Sequence, residues 1–104
     1  MEVKMDLAAV IMMMVNSQND GIEEAINKTE ALLESAEKGL STSYERLEEA
    51  KANDDKRQVL IIQDYIHYLK VCIEHYTKIR DSYAAILEQN YDVAKVMSDV
   101  IKMS

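Results

Sequence analysis

Ile62-Gln63-Asp64-Tyr65-Ile66-His67-Tyr68-Leu69-Lys70-Val71-Cys72-Ile73-Glu74-His75-Tyr76 repeats its apolar residues at steps of three and four: Ile62, Tyr65, Leu69, Cys72, Tyr76. The rhythm continues through Ile79, Tyr83, Ile86, Asn90, Val93, Met97 and Val100. Neither Gly nor Pro interrupts it, and such spacing lines residues along one face of an α-helix. The expectation is one amphipathic helix over about 56–103, with a heptad seam of the coiled-coil kind. Ile66, Ile73, Leu87, Ala94 and Ile101 flank that seam, which makes the stripe wider than a two-stranded coil requires.

Upstream, Ala52-Asn53-Asp54-Asp55 is the best turn candidate. Asn and Asp satisfy turn backbone, and Asp54 or Asp55 can cap the following helix at its positive end. The first half repeats the rhythm at Val15, Asn19, Ile22, Ile26, Thr29, Leu33, Ala36, Leu40, Ser43, Leu47 and Ala50, predicting a helix over about 2–52. Asn16-Ser17-Gln18-Asn19-Asp20-Gly21 is a local breaker within it. Two outcomes are open there. A short first helix ends and another starts with Asp20 and Glu23 as a capping box, or the helix runs through with at most a kink. Phase continuity favours the second. Gly39 and Ser41-Thr42-Ser43 weaken helix propensity, which suits a kink or the close approach of a neighbouring helix.

Leu7 to Val15 is the most hydrophobic window, with Met5, Ala8, Met12 and Val15 in one stripe and Leu7, Ile11 and Met14 widening it. Its nine residues fall well short of the ~20 that span a bilayer. The lead-in of Glu2, Lys4 and Asp6 is unlike a cleavable signal. It reads as a buried helix end whose unbranched methionines fill irregular gaps. The location expected is cytoplasmic, or secreted without a cleavable signal peptide.

If the chain reverses at the turn, facing residues have numbers summing to about 109. Leu47 then meets Ile62, Leu40 meets Leu69, Leu33 meets Tyr76, Ile26 meets Tyr83, and Asn19 meets Asn90. A buried Asn pair fixes register at a cost in stability. The fold expected is all-α, a single domain formed by a long antiparallel helical hairpin. A lone hairpin buries one seam only and makes a weak core. Completion of a four-helix bundle with a second chain, either a homodimer or another helical protein, is therefore expected.

The formal net charge of -7 argues against nucleic acid, which is bound by clustered Lys and Arg, and against an anionic membrane surface. Cys72 is the only cysteine, so no intrachain disulfide forms. Asp64 and His67 have the carboxylate-x-x-His spacing of di-iron bundles, but they stand once and off the seam, and His75 lies beside Glu74. No phosphate loop, zinc spacing or nucleophile triad appears. No enzyme, metal or cofactor is expected.

The acidic chain without Pro, its mid-chain turn and its opening Val3-Lys4-Met5-Asp6-Leu7 resemble the small helical-hairpin proteins of type VII secretion. That resemblance spans the whole chain and is architectural. It implies homo- or heterodimers that form four-helix bundles, and a secretion-associated partner or chaperone of a larger protein. The Trp-x-Gly turn that marks the family is absent, with Asn53-Asp54-Asp55 in its place. Tyr44 and Glu48 have the spacing of its export signal, but in the first helix.

Overall fold

The computed structural model describes the backbone of residues 2–103 and the side chains of residues 9–103. The stripe positions Met5, Leu7 and Ala8 lie outside the described side chains. Two helices make up an all-α hairpin: α1, Glu2–Ala52, and α2, Lys56–Met103. No strand occurs among the described residues.

The breaker at 16–21 does not break α1. Gly21 keeps a helical backbone without positive φ, and Asn19 is buried at its stripe position. Local turn preference at Asn-Asp-Gly is worth little against helix that is already nucleated and packed on both sides. The capping-box alternative is not used.

The reversal rests on two adjacent aspartates. Asp55 N–H donates to Ala50 O at 3.0 Å and Asp54 N–H to Lys51 O at 3.1 Å, with Asp54 in the left-handed region at φ 52. This is a Schellman end, which satisfies carbonyls that the last helical turn leaves without partners. Asp55 then starts α2 as its N-cap: its Oδ1 accepts from Gln58 N–H at 3.2 Å.

Contacts divide the chain into a turn unit, residues 28–79, and a terminal unit, residues 1–27 and 80–104. In the turn unit, Leu33, Ala36, Ser43, Leu47 and Ala50 of α1 are buried, as are Ile66 and Leu69 of α2. Ser43, a buried hydroxyl, donates to Gly39 O at 2.7 Å, so its polarity is met within its own helix. In the terminal unit Val15 and Asn19 are buried and Ile26, Tyr83, Leu87 and Met97 are half-buried. Among the described residues no side chain is fully enclosed.

On α1 the expected stripe is the buried one: Leu33 and Leu47 are buried, and Ile26 and Leu40 are half-buried. On α2 the inward row is Ile62, Ile66, Leu69, Ile73, Tyr76, Arg80, Tyr83, Leu87, Asn90, Ala94, Met97 and Ile101, all buried or half-buried. Every second member of the predicted seam belongs to it. The other members are rotated outward: Tyr65, Ile79, Ile86 and Val93 are exposed, while Cys72 and Val100 are half-buried. The residues read as flankers are thus the inner ones. Ile66 and Ile73 bring aliphatic side chains with no polar atom to satisfy into the inward row, which Tyr76 and Tyr83 share as half-buried members.

Two contacts fix the register, one in each unit. Tyr44 lies under Lys70 Nζ, 5.6 Å from the ring centroid, and Tyr91 Oη donates to Glu23 Oε1 at 2.7 Å. Tyr44 is four residues beyond Leu40 and Lys70 one beyond Leu69. Glu23 and Tyr91 bear the same relation to Asn19 and Asn90. Leu40 is therefore level with Leu69, and Asn19 with Asn90.

Candidate functional site

The hairpin's two flanks differ in chemistry. In the turn unit, the flank marked by Tyr44 and Lys70 also carries Glu30 and Glu37 at helical spacing. The other flank is apolar and open. Leu32 and Tyr65 are each 50% exposed and Tyr68 is 60% exposed. They border a shallow groove with Ser35, Gly39 and Cys72, floored by Ala36 and Leu69. The Tyr65 and Tyr68 rings stack at 6.2 Å between centroids and 22° between planes, which presents one rigid aromatic ridge. A hydrogen bond with Cys72, four residues on, holds the Tyr68 hydroxyl above its ordinary pKa.

Charge sorts the same way. Beside the groove the helical rows run through residues 28, 32, 35, 39, 42 and 46 of α1, reaching Glu49 only near the turn, and through 61, 65, 68, 72, 75 and 79 of α2. Before Glu49 none is an acid, although the turn unit holds ten Asp and Glu residues.

Gly39 stands where α1 meets the groove. A Cβ built there would lie 3.5 Å from Leu69 Cδ1, an ordinary van der Waals distance. Packing within the hairpin therefore has room for alanine, and does not explain a residue that weakens a helix interior.

In the terminal unit, Ile86, Val93 and Val96 of α2 are exposed, and Val10, Met13 and Met14 of α1 form a second open apolar patch. Met14 and Met13 at 58% and 70% exposure correct the expectation of a buried helix end; Met12 and Ile11 are half-buried there. This unit's opposite flank carries the Tyr91–Glu23 hydrogen bond, which raises the Tyr91 pKa.

Asp64, His67 and His75 are exposed. Among the described residues no group of three or more His, Cys, Asp or Glu side chains could hold a metal ion, and no helix is long and apolar enough to cross a membrane.

Of the predicted seam, the structure gathers Tyr65, Cys72, Leu69 and Tyr76 at one groove. Tyr68 and Leu32 were not singled out by the seam reading. Their signal was present: Ile61, Tyr65, Tyr68 and Cys72 form their own four-three-four row beside the seam. Comparison with protein-family models, with curated proteins and with solved structures finds no match.

Proposed function

We propose that the chain is a non-enzymatic helical interaction module, which binds a further helix or helix pair along the apolar groove of Leu32, Tyr65 and Tyr68. The observation that carries this is the Tyr65–Tyr68 ridge, half or more exposed beside Leu32, in a hairpin where no side chain among the described residues is fully enclosed. Exposed singly, such residues are ordinary; stacked beside a groove and cleared of acids, they are what helix-in-groove association uses. The resemblance to type VII secretion hairpins adds a context, that of a partner or chaperone accompanying a larger protein. A purely structural homo-oligomeric bundle is the second reading, favoured by a flank that holds both a ridge and a notch.

Light scattering together with a helicity melt tests the proposal. A module of this kind associates, or melts broadly and loosely when alone. A compact monomer at all concentrations, with one sharp transition, would sink it.

A further inference from the structure

We infer that the terminal unit is a built-in fork: its two arms part at the level of Asn19 and Asn90 in a local opening that leaves the turn unit closed. The inference goes beyond the interaction-module reading and does not depend on what binds the Leu32–Tyr68 groove. Three observations support it.

The first is the amide pair. Asn19 is only 5% exposed. Its Oδ1 is an acceptor and the Nδ2 of Asn90, at the same level, is a donor, yet neither atom has a hydrogen-bond partner. Closing the arms takes both atoms from water and gives neither a bond in return. Parting the arms hydrates them, so the cost falls on the closed state alone.

The second is an unequal core. In the turn unit Leu33 and Leu47 of α1 and Ile66 and Leu69 of α2 are buried, large aliphatic side chains from both helices. In the terminal unit only Val15 and Asn19 are buried among the described residues, and both belong to α1. Segments with few buried apolar contacts open at the lowest free energy.

The third is the inward row of α2 itself. Between residues 80 and 90 it consists of Arg80, Tyr83, Leu87 and Asn90, of which Leu87 alone is wholly apolar. The Arg80 guanidinium is held by Asp81 of its own helix, and so ties no arm to the other. The bond from Tyr91 to Glu23 does cross between the arms, but it is exposed, and water replaces such a bond at little cost. Once parted, the arms add Ile26, Tyr83 and Leu87 to the apolar surface that Ile86 and Val93 already present. The fork therefore governs how much apolar surface this unit offers.

The experiment is native-state hydrogen exchange of the full chain, read by NMR at low urea concentrations. Amides of residues 15–27 and 80–97 should exchange through one shared opening, ~10-fold or more faster than the best-protected amides of residues 33–47 and 62–73. Ile66→Val, in the turn unit, should speed exchange of the turn-unit amides several-fold and leave the terminal amides unmoved, because the fork opens without disturbing Ile66. Asn19→Leu combined with Asn90→Leu should slow the terminal amides ~10-fold or more. Glu23→Ala should move them the other way, by loss of the Tyr91 bond. Equal protection throughout, with Ile66→Val speeding both units alike, would overturn the fork. Terminal amides that the double leucine variant does not slow would overturn the amide pair as its cause, since the two amides would then be satisfied in the closed state. Neither result bears on association, which light scattering reads separately.

Discussion

At Asp54 a single residue bears the reversal of the chain. It occupies the left-handed region, where a side chain is crowded and glycine is not. Asp54→Gly should therefore stabilise the hairpin by about 1 kcal/mol, read as a higher urea midpoint at unchanged slope. Its neighbour works in the opposite sense. Asp55→Ala removes the acceptor of Gln58 N–H and should cost about 1 kcal/mol. Tyr91 offers a test by pH. Its bond to Glu23 favours the protonated phenol, so the folded-state pKa lies above the unfolded value of about 10. The stabilisation is complete below that value and is lost as pH rises through the raised folded pKa. Ultraviolet titration should find Tyr91 ionising late, and Glu23→Ala should return it to the ordinary range while Tyr68, held by Cys72, stays raised.

Along each helix, the decisive feature is which row of the stripe turns inward. On α1 only one row is apolar, so the sequence names it, and its unbroken phase correctly carries the helix past Gly21. On α2 two rows share Ile62, Leu69, Tyr76, Tyr83, Asn90 and Met97. The row completed by Tyr65, Ile79, Ile86 and Val93 is the more apolar, because its rival contains Arg80. Hydropathy alone therefore points to the wrong half of the seam. Arg80 fits the inner row because its stem packs while its guanidinium reaches Asp81 at 3.2 Å. The ridge-and-notch flank was legible only in part, since the pairing of Gly39 with Leu69 depends on the register between helices. The turn was legible as local chemistry, while the choice of Asp55 over Asp54 as the cap, with Asp54 in the left-handed region, came from the structure. Asn19 and Asn90 interrupt the two helices at one level, and neither Asn19 Oδ1 nor Asn90 Nδ2 has a hydrogen-bond partner. Replacing one leaves the other amide buried beside a hydrocarbon. Replacing both with Leu should exceed the sum of the single changes by ~1 kcal/mol or more in urea unfolding, with a less strictly held register as the cost.

For the whole molecule, the sorting of acids matters more than their number. Despite the chain's -7, the groove of Leu32, Ser35, Gly39, Tyr65, Tyr68 and Cys72 holds no charged residue. Fold and exposed apolar groove thus arise from the same heptad spacing, one row apart.

The Asp54–Asp55 turn also sets an order of events in time. Leu47 and Ile62 come together by closing a loop of only a few helical turns, whereas Glu23 and Tyr91 are separated by 68 residues. Loop-closure entropy grows with that separation, and contacts local in sequence form fastest. The expected order is closure at the bend first, with Leu47 meeting Ile62 before Glu23 meets Tyr91, which pulse-labelled hydrogen exchange would check by earlier protection of residues 40–70.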